Sequence, residues 1–220
     1  GLGEPRLWVR QFDDLSEGEK FRVCLARAVG QALRVGAPRP IVCDEFTSLL
    51  HRRAAKAVAY NLRKLVSREK LTLLVAATHE DIIEDLQPDQ IIRLGAAPPA
   101  AAPQTVRDRP ISLARRAAIE RGSVRDYRLF SPMHYRHRDG LGFVDQVFLL
   151  RESPGGQPLG IIVLAHAPLE LAQRHHSTDG RFVRNPRRLN RELRILRRLV
   201  MHPDVRGCGL GHWFVRNTLP

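Results

Sequence analysis

Apolar positions first fall into a rhythm after Ser16. Phe21, Val23, Leu25, Ala28, Val29, Ala32 and Leu33 recur at mostly helical spacing, which predicts a helix from Ser16 to about Val35. Ala37 to Pro40 break it, and Ile41, Val42 and Cys43 form a short apolar run of the kind that fills a buried parallel strand. Arg52 to Ser67 returns to helical character. Leu71 to Ala77 reads as a second buried strand, Asp81 to Leu86 as a short helical segment and Gln90 to Leu94 as a third short strand. This alternation predicts a layered α/β unit with a mainly parallel sheet.

The pattern changes at Ala96 to Pro103, AAPPAAAP, whose prolines forbid regular helix and read as a semi-rigid linker. Beyond it, Ile111 to Leu113 reads as a strand and the basic stretch from Ala114 as a helix. Asp145 to Arg151 and Pro158 to Ala165 read as an antiparallel hairpin joined by the turn signal Ser153-Pro154-Gly155-Gly156. A polar loop rich in His and Arg follows, then a strand from about Ile195 to His202, a Gly-rich turn and a helix from about Leu210. The expected division is 1–95, a linker 96–106 and 107–220.

Composition sharpens that division. With 43% hydrophobic residues in 220, the chain can bury a core, and its 27% charged residues do not describe a disordered tail. The formal net charge is +13, but residues 1–95 carry 15 basic and 13 acidic side chains while 96–220 carry 21 and 10. The basic excess therefore sits in the second part and points to anionic partners, namely nucleotides, coenzyme phosphates or RNA. Cys24, Cys43 and Cys208 form no C-x-x-C pair, so neither a zinc knuckle nor a disulfide framework is indicated, and a cytoplasmic setting fits best. The longest apolar run, Leu71 to Ala77, is far short of the roughly 18 residues of a membrane helix. No signal-peptide core opens the chain. It starts on Gly1 and stops at Pro220 with a helix just begun, which reads as a fragment.

Ile41-Val42-Cys43-Asp44-Glu45 sets two adjacent carboxylates at the C-terminal end of a buried strand, the edge where ligands bind in open α/β sheets. In a phosphate-hydrolysing site the first carboxylate can hold Mg²⁺ and the second can orient or deprotonate the attacking water. Two acids capping a loop is the plainer alternative. Upstream, Ser16 and Glu19 form an S-x-x-E capping box that starts a helix without any ligand. The same Ser hydroxyl, Gly18 and free amides can equally make a phosphate-binding edge. Downstream, Leu71 to Ala77 delivers Thr78 and His79 to the same edge as the acids, where a histidine can sense a γ-phosphate.

The order LSEGE, ARAV, IVCDEFTSLLHR, ATHED resembles the C-terminal half of an ABC-type ATPase domain over roughly residues 7–95. That resemblance implies ATP and Mg²⁺ as ligands, Ser16 and Gly18 in the signature motif, Asp44 as the metal-holding aspartate, Glu45 as the catalytic glutamate and His79 as the switch histidine. It also implies a homodimer closing around two ATP molecules. The chain departs from the family in three respects. Glu17 and Glu19 replace the usual Gly and Gln, His51 stands where an aspartate is usual, and no G-x-x-x-x-G-K-[ST] loop occurs. ATP turnover by these residues alone is therefore not expected.

A second site is expected where the final strand gives way to Arg206-Gly207-Cys208-Gly209-Leu210-Gly211. Glycines let the backbone approach an anion, and the helix that follows favours a pyrophosphate at its first turn. A tight strand-to-helix turn would look the same. With its approach strand, R-G-C-G-L-G resembles the R/Q-x-x-G-x-G/A motif of the GNAT acetyltransferases over about 107–220. The resemblance implies an α+β domain with a mixed, mostly antiparallel sheet. By it, amides from Arg206 to Gly211 hold the acetyl-CoA pyrophosphate and Leu199 to Met201 pair with the pantetheine arm. Glu192 and His202 are possible helpers in proton transfer.

His134-Tyr135-x-His137 and His175-His176 have weak metal-ligand character and read as solvated loops. The Arg-rich stretch from Arg181 to Arg198 reads as a charged surface, or as a track for an RNA backbone. The leading expectation is a cytoplasmic ATPase fused to an N-acetyltransferase, with RNA or another nucleic-acid-associated amine as a possible acceptor. The alternatives are a non-transporter regulatory ATPase whose GNAT-like domain binds acetyl-CoA or a partner without catalysis, and the ATPase subunit of a transporter.

Overall fold

In a computed structural model of the chain, residues 5–35, 40–93, 110–134 and 140–219 are described. The linker expected at 96–106 lies outside them. The chain divides into two compact units, one of residues 1–116 with 203–213 and one of 117–202 with 214–220. Together they make a mixed α/β structure with one parallel and one antiparallel sheet.

In the first unit, α1 (Glu17–Val35), β1 (Ile41–Cys43), α2 (Arg52–Glu69) and β2 (Leu73–Val75) follow in order, and a 3₁₀ turn at Glu80–Ile82 runs into α3 (Ile83–Leu86). The strands pair in parallel, Ile41 opposite Leu73 and Cys43 opposite Val75. Val29, Ile41, Phe46, Val58, Leu62 and Ile82 form the buried core, with Phe21 and Leu25 packed against it. β2 is shorter than its apolar run, but its ladder continues, the Ala76 amide donating to Cys43 O (3.0 Å) and the Phe46 amide to Ala76 O (2.8 Å). The third strand expected at Gln90 to Leu94 is corrected. Residues 90–93 are not a strand, because no described segment pairs with them, and Ile92 is largely exposed.

Helix α2 stops at Lys70, whose left-handed backbone (φ 54°) lets its amide reach Val66 O. Ala54, Ala55, Val58, Ala59 and Leu62 face the core. Ala57 and Tyr60, on the other side of the helical wheel, are buried as well. Two segments of the same unit approach this helix, the 3₁₀ turns Ser112–Arg115 and Pro203–Val205. Here Ile111 to Leu113 is not the expected strand. Buried Asp85 of α3 accepts the Ser112 amide (2.7 Å) and hydroxyl (2.6 Å), which coils the chain into a 3₁₀ turn.

The second unit is an antiparallel sheet in the order β3-β4-β5-β6: β3 (Ala118–Arg121), β4 (Val144–Arg151), β5 (Pro158–His166) and β6 (Arg194–Met201). The helix expected from Ala114 is corrected, since Ala118–Arg121 pairs with Phe148 to Arg151 as a strand. α4 (Tyr127–Phe130) follows β3. Tyr127, Phe130, Val147, Leu149, Ile161, Val163 and Val200 make this unit's core. A fully buried aliphatic side chain such as Ile161 contributes about 1.5–3 kcal/mol. The loop expected between β5 and β6 contains two helices, α5 (Ala172–Ser177) and α6 (Pro186–Glu192). Asn185 caps α6 by accepting the Arg188 amide (3.0 Å), with Pro186 in its first turn. The last helix is α7 (Leu210–Thr218). No helix among the described residues is long and apolar enough to cross a membrane.

Candidate functional site

The parallel ladder decides which side chains share an edge. Asp44 and Glu45 leave β1 as Ala76, Ala77, Thr78 and His79 leave β2, both at C-terminal strand ends, and the Phe46–Ala76 hydrogen bond holds the two exits side by side. Asp44, Glu45, Thr78 and His79 are all exposed. Asp44 Oδ1 accepts the Glu45 amide (2.9 Å), and Glu45 turns into the left-handed region at φ 47°. Thr47 follows at φ 67°, fully buried, with its hydroxyl lacking a hydrogen-bond partner. Positive φ is costly at a β-branched residue, so the loop after the carboxylates stores backbone strain.

Ser16 and Gly18 sit at the start of α1. Ser16 donates its amide (2.8 Å) and hydroxyl (2.9 Å) to Glu19 Oε2, and these bonds from Ser16 hold the Glu19 carboxyl below its usual range. Glu17 is paired with Lys20 (2.9 Å). Both unusual acids of the segment therefore have partners. Gly18 lies against the loop after the carboxylates, where a Cβ would stand 2.9 Å from Leu49 O and 3.2 Å from Leu50 Cδ2. His51 accepts the Arg53 amide at Nδ1 (3.4 Å) and caps α2, a task an aspartate performs equally well.

One residue went unrecognised in the sequence. Arg52 binds both Asp81 oxygens, through Nε at 3.0 Å and through Nη2, and its Nη1 donates to Thr47 O (3.4 Å). It ties the two loops of the edge together and, by that hydrogen bond, pulls the Asp81 carboxyl below its usual range. No spacing rule marks an arginine in the first turn of a helix as a clamp between loops. Beside β1 and β2 lies a cleft of about 730 Å³ lined by Val42, Asp44, Leu74, Leu86 and Ile92 and by the ion-paired Arg63 and Asp89 (2.8 Å).

In the other predicted site, Gly207 and Gly209 both have φ 81°, so both glycines are required by backbone conformation. A Cβ on Gly209 would meet nothing within 4 Å, and one on Gly207 would meet Asn61 Nδ2 at 3.9 Å. Cys208 is buried, donates its thiol to Val205 O (3.0 Å), and is pushed up in pKa by that burial. Leu210 is buried and opens α7, while Arg206 and Gly211 are half-buried. These residues belong to the first unit. Leu199 and Met201 belong to the sheet of the second, opposite Ile162 and Gly160. Glu192 is shared by Arg181 (2.8 Å), Arg188 (3.1 Å) and Arg191 (3.3 Å). His134 is described, but Tyr135 and His137 lie outside the described residues. Among those described, no group of three or more His, Cys, Asp or Glu is placed to hold a metal.

The geometry defines a class before any relative is considered, an α/β protein with two acids and a histidine on the C-terminal edge of parallel strands. Over 74 residues the chain is 34% identical to the methionine import ATP-binding protein MetN 2 of Acinetobacter baylyi. The match takes in 34% of this chain and spans about a fifth (20%) of that protein's length. No known family profile matches the chain. No solved structure matches it.

Proposed function

We propose that the first unit contributes the carboxylates and histidine of one ABC-type ATP-hydrolysing site and the signature segment that closes the site of a second copy. The observation that carries this reading is the shared edge, where Asp44, Glu45, Thr78 and His79 emerge together and α1 brings Gly18 against the loop that follows. Asp44 fits Mg²⁺, because Mg²⁺ takes one or two carboxylates and fills its other positions with water and phosphate oxygens. It is exposed, and Oδ1 is the oxygen engaged by the Glu45 amide. The ion would supply charge neutralisation for the phosphates. In this reading Glu45, whose carboxylate makes no hydrogen bond or ion pair with the described residues, would orient the attacking water, and His79 would contact the terminal phosphate. Ser16 would exchange its bond to Glu19 for one to a phosphate oxygen.

Parallel strands are ordinarily covered on both faces, so the apolar outward face of Val42 and Leu74 fits a sheet completed by further ATPase elements. A homodimer with two nucleotides between signature and phosphate-loop surfaces follows from the same reading. The test is ATP turnover by the full-length protein. Glu45→Gln lowers kcat at least a hundredfold with the melting temperature unchanged, and turnover equal to wild type refutes the assignment.

In the same reading the later part of the chain is an acetyl-CoA-dependent N-acetyltransferase. Two features support it, the β3-β4-β5-β6 antiparallel order and the two left-handed glycines before α7. Arg206 to Gly211 would offer amides to the coenzyme's pyrophosphate. The nine arginines and three acids between His166 and His202 favour a phosphate-rich acceptor such as RNA. Acetyl transfer to RNA by the full-length protein, with labelled acetyl-CoA, tests that acceptor.

A further inference from the structure

Helix α2 touches both candidate sites. At its start, Arg52 holds Asp81 on one loop of the carboxylate edge and the Thr47 carbonyl on the other. In its middle, Asn61 stands against the Gly-rich loop, 3.9 Å from where a Cβ on Gly207 would lie, and the helix packs on the turn Pro203–Val205. Nine residues at 1.5 Å rise separate these contacts by about 13 Å. Both belong to one compact unit.

Arg52 and Asn61 ride on one continuous helix, which is closely packed except along an open cleft of about 310 Å³ toward α1 lined by Val58, Asn61, Leu62 and Leu65. Ala55 and Ala59 are completely buried on the core side, Ala57 and Tyr60 are buried on the other, and Val205 and Cys208 of the loop are almost wholly enclosed. Close-packed small residues transmit displacement, because any gap forfeits contacts outright. Asn61 and the backbone of Gly207 therefore lie where a rigid-body displacement of α2 driven from Arg52 would be felt.

We propose that α2 couples the two sites, so that rearrangement of the carboxylate edge changes the affinity of Arg206–Gly211 for a coenzyme pyrophosphate. The proposal rests on the site reading above and adds to it a physical link. Coupling between sites commonly amounts to fivefold or more in affinity and is reciprocal.

The experiment titrates desulfo-coenzyme A into the whole protein by calorimetry and follows amide hydrogen exchange over residues 203–209. Arg52→Ala should change the dissociation constant about fivefold or more and alter exchange at 203–209. Arg63→Ala, which breaks the Asp89 pair on the same helix, should leave both within about twofold. Wild-type affinity and exchange in a folded Arg52→Ala protein overturn the proposal. So does an equal shift in Arg63→Ala, which would mean general loosening of α2. If Arg52→Ala does not fold, Asp81→Asn weakens the same clamp while keeping an acceptor oxygen, and the same outcomes apply. If wild type binds no desulfo-coenzyme A, the acetyltransferase reading fails, and exchange at 203–209 still decides whether α2 transmits.

Discussion

Asp85 is 1% exposed and accepts two hydrogen bonds from Ser112, so its removal can be worked through in numbers. Asp85→Ala leaves a buried amide N–H without a partner, at about 1–3 kcal/mol, and loses a hydroxyl bond worth about 1 kcal/mol, a total of about 2–4 kcal/mol. Asp85→Asn can keep both bonds, its carbonyl accepting from the amide and its NH₂ donating to the hydroxyl. Burial raises the Asp85 pKa against the lowering effect of the Ser112 bonds, so the folded chain takes up this proton more readily than the unfolded one. That contribution is complete below the unfolded value of about 3.9 and is lost as pH rises through the raised folded value. Urea unfolding at several pH values reads both effects. Asp85→Ala should lower the midpoint with an unchanged slope, and Asp85→Asn should lose the decline in this contribution between acid and neutral pH. The reasoning is refuted if Asp85→Ala matches wild type within about 0.5 kcal/mol, or if Asp85→Asn is as damaged as Asp85→Ala.

Two other outcomes follow from contacts at the motifs. Gly18→Ala drives a Cβ against Leu49 O and Leu50, costing about 1–3 kcal/mol. Thermal melts should show that loss with and without nucleotide, and an unchanged melting temperature would mean the loop moves aside freely. Iodoacetamide in the native state should alkylate exposed Cys24 and spare Cys208, which is enclosed and raised in pKa. Mass spectrometry showing equal labelling would mean that the Gly-rich loop opens.

What could be read in the chain was what local pattern controls. The spacing from Phe21 to Leu33 and the apolar run Ile41 to Cys43 specify α1 and β1 without help from distant residues. The hairpin of β4 and β5 was equally plain, because two strand-like segments meet at a Ser-Pro-Gly-Gly turn. Errors fell where a distant partner decides. Ile111 to Leu113 has the composition of a strand, but the carboxylate of Asp85, 27 residues earlier, fixes Ser112 in a 3₁₀ turn. Ala118–Arg121 follows a basic run and is helix-tolerant, yet pairing with β4 makes it a strand. α6 did carry a local signal, since Asn185 followed by Pro186 is a helix start, but its arginines drew the reading toward a charged loop. The carboxylate edge was legible for the same reason as β1, whereas Arg52 was not, because a clamp between two loops has no period.

Several motif residues have structural work that explains their identity without any ligand. Ser16 is held by Glu19 at the start of α1, Gly18 admits the Leu49 carbonyl, His51 caps α2, and Gly207 and Gly209 satisfy positive φ. Substituting any of them confounds stability with function. Glu45 and His79 are different. Their side chains are exposed, make no hydrogen bond or ion pair with described residues, and bury nothing, and Glu45 also holds a left-handed backbone that a glycine would hold more cheaply. A strained position filled by an exposed acid gains nothing for the fold. Glu45→Gln therefore perturbs the fold little, which makes it the cleanest separation of stability from the proposed role in this chain.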